Sequence, residues 1–202
     1  MRIPYIAFEG VDGAGKTTAA TVVEATLRAQ GREVVLVREP GGTPTGEEIR
    51  RILLHSDDSV AAWTEAMLFA ASRAQLAVEV ISPALKAGKV VLSDRTVYSS
   101  LAYQGGARGL GIEAVRQVNE AGLQGVWPAQ VVLLRLDPEI GLEREDVHDR
   151  ISIEGLALQR KVADAYDVLA HEEPERFIVV DASQPLEMVV EDCLRKVLEH
   201  IG

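Results

Sequence analysis

Phe8-Glu9-Gly10-Val11-Asp12-Gly13-Ala14-Gly15-Lys16-Thr17-Thr18 contains Gly10, four intervening residues, then Gly15-Lys16-Thr17, the spacing of a P-loop. Its flanks suit that motif. Tyr5 to Glu9 is a short apolar run that reads as a strand, and Thr18 to Arg28 continues with helical periodicity. Glycines at 10, 13 and 15 let the backbone curl so that its N–H groups face an anion, and the helix N-terminus adds partial positive charge. Gly10 and Asp12 to Thr18, including Ala14, are thus candidate nucleotide contacts. Lys16 is expected to reach the β- and γ-phosphates, and the Thr17 hydroxyl to hold Mg²⁺. The stretch implies nucleoside triphosphate binding.

The 202 residues suffice for one well-cored domain and are short for two. The net charge of −10 and the lack of a polybasic run argue against nucleic-acid or anionic-membrane partners. Small anionic ligands stay open, because a local arginine cluster can overcome a distant negative field. The single cysteine, Cys193, cannot form an internal disulfide, and no apolar run approaches a membrane span. A reducing, cytoplasmic setting is expected. No His/Cys cluster suggests zinc, and His148 reads as surface.

Outward from the loop, apolar strand-like runs alternate with helical patterns. Strands are expected over Ile3–Glu9, Glu33–Arg38, Lys89–Asp94, Gln130–Leu136 and Arg176–Asp181. Helices are expected over Lys16–Gln30, Thr45–His55, Val60–Ala87, Ile112–Ala121, Glu154–His171 and Pro185–Ile201. The alternation predicts a three-layer α/β fold of P-loop NTPase type: a five-stranded parallel sheet with helices on both faces, in one domain over 1–202. Ligands are then expected at the carboxyl ends of the strands.

The candidates outside the loop fall at those ends. Arg38-Glu39-Pro40-Gly41-Gly42-Thr43 is a rigid loop with a flexible core. Arg51 reads as a solvated helix face; Arg50 reads either the same way or as pointing back to the strand ends. Phe69 and Arg73, four apart, share a helix face and could stack on a base and bond its edge. The plainer reading makes Phe69 core and Arg73 a snorkelling side chain, though its Ala- and Leu-rich setting is unusual for one. Val90 to Asp94 is an apolar strand ending in a carboxylate that could orient Mg²⁺, followed by Arg95, placed for phosphate. Gly105-Gly106-Ala107-Arg108-Gly109 reads as a loop too glycine-rich for core. Asp137 to Arg150, charged and weakly patterned, suits a short lid at about 143–153 that closes on phosphate, or simply a solvated loop.

Taken together, these segments resemble the thymidylate kinases of bacterial type, end to end. The motifs are the P-loop, Arg38 to Thr43, Leu68 to Gln75, Ser93-Asp94-Arg95, Ala102-Tyr103-Gln104-Gly105-Gly106-Ala107-Arg108-Gly109 and Asp181-Ala182-Ser183-Gln184-Pro185. The resemblance implies ATP as donor, Mg²⁺, thymidine monophosphate as acceptor and a homodimer packed through helices including Val60–Ala87. It implies that Phe69 stacks on thymine and Arg73 bonds the base edge. Arg50 and Arg95 would hold the acceptor phosphate, and Asp12 would face the 3′-hydroxyl or the metal-bound phosphates. Tyr103 would crowd the sugar 2′ position and Gln104 would sit over the base, while Ser99 or Ser100 touch the base or metal shell. Arg144 and Arg150 would approach the transferring phosphoryl group, and Ala182 to Gln184 would border adenine. The chain departs from the family pattern at Thr96, at Arg135 within a strand, at Ala129-Gln130 after Pro128, and in a lid diluted by Glu145, Asp146 and Asp149. Two other readings are a kinase for another pyrimidine monophosphate and a non-catalytic nucleotide-binding module. Retention of Lys16, Asp94 and Arg95, and the lack of an Asn-Lys-x-Asp guanine motif, favour catalysis.

Overall fold

A computed structural model describes residues 5–56, 59–144, 150–151 and 154–201. Five strands, β1 (Tyr5–Glu9), β2 (Val34–Arg38), β3 (Val90–Asp94), β4 (Gln130–Arg135) and β5 (Phe177–Asp181), form a wholly parallel sheet in the order β2-β3-β1-β4-β5. The helices around it are α1 (Lys16–Ala29), α2 (Pro44–His55), α3 (Ala62–Leu76), α4 (Ser82–Lys86), α5 (Val97–Ser100), α6 (Ile112–Leu123), α7 (Pro138–Arg144), α8 (Leu156–Glu172) and α9 (Leu186–Ile201). The expected parallel α/β arrangement is therefore present, with boundaries shifted by a residue or two. Of the expected first strand, Ile3 and Pro4 lie outside the described residues.

The sheet is covered on both sides because successive strand residues point to opposite faces. Ile6, Phe8, Leu92 and Val132 join the main core with Ala19, Val23 and Leu27 of α1, whereas Tyr5, Val37 and Val91 pack with Leu76, Ile81 and Ala84. Fully burying each Leu, Val or Phe side chain contributes ~1.5–3 kcal/mol. Register fixes the functional edge: Phe8 pairs with Asp94, and Asp94 with Arg38, so the carboxyl ends of β1, β3 and β2 lie side by side.

Three expectations are corrected. The Val60–Ala87 helix is interrupted by a π-helical run, Ala77–Ile81, just before Pro83. Proline lacks an N–H and crowds the carbonyl four residues back, which a wider turn relieves. The Gly105–Gly106 segment is no loop but part of a second π-helical run, Leu101–Ala107, largely buried. Its glycines serve close packing: a Cβ on Gly106 would lie 2.5 Å from the Ala165 Cβ on α8. The start of the charged 137–150 region forms α7, whose Gly141 carbonyl abuts Gly13 of the P-loop. Gly13 has φ +72° and no room for a Cβ there, so only glycine fits. Residues 145–149 and 152–153, with Glu145, Asp146, His148 and Asp149, lie outside the described residues, and with them most of the expected lid. Arg135 is exposed at the end of β4 and pairs with Asp167 at 2.7 Å, so it does not enter the core.

Candidate active site

A cavity of about 960 Å³ opens over the carboxyl ends of the strands. Asp12 to Thr18 line it, with Arg50, Phe69, Asp94, Arg95, Ser99, Ser100, Tyr103, Gln104, Arg144, Ala182 and Gln184. Lys16, Arg38, Arg50, Arg95 and Arg144 face only Asp12, Glu39 and Asp94 among its charged walls, an excess of cations in a protein of net charge −10. The local field therefore favours anions despite the acidic whole.

The P-loop end of the cavity is built by β1 and β3. Gly15 adopts φ +90° ahead of α1, and Lys16, buried at the first position of that helix, folds back to donate to the Val11 carbonyl at 2.7 Å. Burial, then the neighbouring Arg95, depresses the Lys16 ammonium to about 8, with Asp12 opposing the shift. The Thr17 hydroxyl donates to the Asp94 carboxylate at 2.5 Å, so the two expected magnesium contacts meet. One hydroxyl and one carboxylate beside a phosphate cradle suit a hard cation that takes its remaining ligands from water and substrate. No cluster of three or more His, Cys, Asp or Glu that could hold a metal occurs among the described residues.

Arg95 follows β3 with φ +68°, an uncommon conformation for a non-glycine residue that turns its side chain across the P-loop. Its guanidinium pairs with Asp12, bonds Ser99 Oγ at 3.2 Å and the Gly10 carbonyl at 3.3 Å, and lies over the Tyr103 ring at 5.3 Å. The Tyr103 hydroxyl donates to Asp12 at 3.1 Å, and the Gln159 amide donates to the same carboxylate at 2.5 Å. Burial alone would raise the Asp12 pKa; Arg95, Lys16, Tyr103 and Gln159 outweigh it and hold the group ionised below its usual value.

Three residues that carry this geometry have no assigned role in the sequence reading. Glu9, wholly buried, accepts from Thr96 N–H and Oγ1 (2.7 Å each), Ser99 Oγ (2.6 Å) and Tyr166 OH (2.7 Å). Thr96, the departure from the family pattern, thus anchors the segment carrying Ser99, Ser100 and Tyr103, and caps α5. A carboxylate ending a buried apolar strand was the available signal, as it was for Asp94. Gln159 sits on α8, 147 residues from Asp12, and carries no local signal at all. Glu65, buried on α3, accepts from Gln104, Arg108 and Arg150.

Two expected ligand arginines are placed elsewhere. Arg73 does not line the cavity; it is 2% exposed and bonds Glu39 at 2.6 Å, Asn119 at 2.5 Å, and the Thr96 carbonyl and Ser100 Oγ at 3.1 Å each. The snorkelling reading does not describe that environment. Burial outweighs the attraction of Arg73 and lifts the Glu39 carboxyl to about 7. Arg150, expected at the transferring phosphoryl group, bonds Glu65 at 2.5 Å and the Leu53 carbonyl at 2.7 Å and does not line the cavity. Arg144 does line it, donating to the Ala182 carbonyl at 3.1 Å. Arg50 lines it too, bonding the Pro40 carbonyl at 2.8 Å, while Arg51 pairs with Glu48 on an exposed face. Cys193 is buried, its thiol pushed by that burial up to about 12, which leaves it an inert packing group. Among the described residues no helix is long and apolar enough to cross a membrane.

Comparison with known proteins agrees with this geometry. The family model described as thymidylate kinase matches residues 8–193. The chain is 44% identical to the thymidylate kinase of Geobacillus sp. (strain WCH70) over 207 aligned positions, covering 100% of this chain and 99% of that protein. It is also 44% identical to the thymidylate kinase of Halothermothrix orenii, covering 98% and 97% respectively.

Proposed function

The chain belongs to the thymidylate kinase family, and on that premise we propose how its residues divide the work of moving the γ-phosphoryl group of ATP to thymidine 5′-monophosphate. The reaction yields the diphosphate and requires Mg²⁺. The observation that carries the assignment is Arg95, which touches P-loop Asp12 on one side and Ser99 and Tyr103 on the other. A group there meets both nucleotides where the phosphoryl passes between them.

Backbone N–H groups of residues 13–18 cradle the ATP phosphates, and Lys16 neutralises charge at the β/γ bridge. Thr17 and Asp94 would hold Mg²⁺, which would supply positive charge against the phosphates. Arg95 and Arg50 orient the acceptor phosphate for in-line attack; that phosphate is already anionic, so no general base is needed. Phe69 stacks on thymine, with Gln104 beside it. Tyr103, held by Asp12, crowds the 2′ position and so selects deoxyribose. Ser99 and Ser100 fix the segment that carries Tyr103. Ala182 and Gln184 border the adenine, and Arg144 approaches the transferring phosphoryl group. Arg73 acts from behind the cavity wall, tying Glu39 and Ser100 in place. We further propose that the chain works as one cytoplasmic domain and pairs with a second copy through α3 and the turn after it, where Trp63, Met67 and Val78 are exposed.

Phe69→Ala tests the base site. It should raise KM for thymidine monophosphate about ten- to a hundredfold, as expected from stacking worth ~1–3 kcal/mol, and leave KM for ATP within about twofold. Equal effects on both substrates would remove Phe69 from the base site.

A further inference from the structure

Glu65 lies in the first turn of α3 and is wholly buried. It accepts four hydrogen bonds: from Gln104 Nε2 at 2.9 Å, from Arg108 at 3.0 and 3.1 Å, and from Arg150 at 2.5 Å. Burial would raise its pKa, but the bonds from Arg108, Arg150 and Gln104 more than reverse that, so it is a carboxylate and only an acceptor. This fixes the Gln104 amide. Flipping it would set the amide oxygen against a buried carboxylate oxygen, two acceptors in contact with no proton between them. The nitrogen therefore faces Glu65, and the carbonyl oxygen is the end that Gln104, a cavity-lining residue, has left for a ligand.

Glu65 and Phe69 are four residues apart and share one face of α3, and Gln104, bonded to Glu65, lines the same cavity as Phe69. A base stacked on Phe69 would share the cavity with that acceptor. Thymine offers a ring N–H; cytosine offers a bare ring nitrogen and would set acceptor against acceptor. We propose that Glu65 is a positioning residue for base selection, orienting the Gln104 carbonyl toward the cavity so that the site takes pyrimidines whose ring nitrogen carries a proton and rejects cytosine. The inference rests on the placement of the base beside Phe69.

The experiment measures kcat and KM for thymidine and deoxycytidine monophosphates with ATP and Mg²⁺, in the wild type, Glu65→Gln, Glu65→Asp and Gln104→Leu. A glutamine at 65 both donates and accepts, so the Gln104 amide is freed to flip. The thymidylate-over-deoxycytidylate ratio of kcat/KM should fall about tenfold or more in Glu65→Gln, through KM for the acceptor, with KM for ATP unchanged. Glu65→Asp keeps an acceptor-only group and should stay within about threefold of wild type. Gln104→Leu, with Glu65 intact, should lose the same discrimination, which keeps the test open should Glu65→Gln fail to fold. A folded Glu65→Gln with a wild-type ratio, or a Gln104→Leu that still discriminates, would overturn the assignment of Glu65. Wild-type selectivity with Phe69→Ala inert on acceptor KM would instead overturn the base placement beneath it.

Discussion

At the phosphate end of the cavity, Thr17 meets Asp94 and Asp12 meets Arg95 across 77 and 83 residues of chain, yet these contacts join two motifs at the tips of adjacent parallel strands. At the base end, Arg73 meets Glu39 and Arg150 meets Glu65 across 34 and 85 residues, between helices and loops with no strand register to align them. Separation in sequence does not explain why the outcomes differ. Sheet register carries motif residues to a common edge, so their meeting can be read from the sequence. Partner choice among buried arginines is set by which carboxylate is within reach after helices pack, and no local pattern encodes it. A guanidinium in an apolar helix signals a buried partner as readily as a ligand.

Breaking the phosphate end should have the largest effect. Lys16→Met removes a preorganised charge from the transferring group and should lower kcat/KM by about 10³-fold with the fold intact by circular dichroism. A loss under about tenfold would place the phosphates elsewhere. At the base end the dominant effect should be on stability. Arg73→Ala leaves the buried Glu39, Asn119 and Ser100 side chains without their shared donor and should cost ~3 kcal/mol in denaturant unfolding, part of it recovered by adding Glu39→Gln. A cost under about 1 kcal/mol would show that Arg73 is not structural and return it to the base contact that the family resemblance implied.

A smaller effect sharpens the comparison from the phosphate side. Burial and Arg95 hold Lys16 near 8, so its charge is present below that pH and lost above it. kcat/KM for ATP, which reports the free enzyme, should fall about tenfold by pH 9. With ATP bound, phosphate charge raises the Lys16 pKa, so kcat should hold to a higher pH. Superimposable profiles for the two parameters would contradict that coupling.

The strand order β2-β3-β1-β4-β5 has no local signal, but the five parallel strands and the P-loop were legible because strand hydrophobicity, glycine spacing and terminal carboxylates are local signals. The π-helical Leu101–Ala107 run was not, because its glycines answer to Ala165 and Ile112 rather than to a turn. Nor was α7, whose seven residues are too few to show periodicity and whose Gly141 is fixed by contact with the P-loop. Among site residues, Glu9 was within reach and Gln159 was not, since an amide on an amphipathic helix looks like any other solvated position.

The central claim is that one cavity joins ATP to a thymine deoxynucleotide. Coupled ADP release with ATP, Mg²⁺ and a panel of nucleoside monophosphates tests it most directly. The account predicts rapid turnover with thymidine monophosphate, much slower turnover with deoxyuridine monophosphate and negligible turnover with ribonucleotides. ATP binding without turnover on any acceptor, or preference for a ribonucleotide, would contradict it.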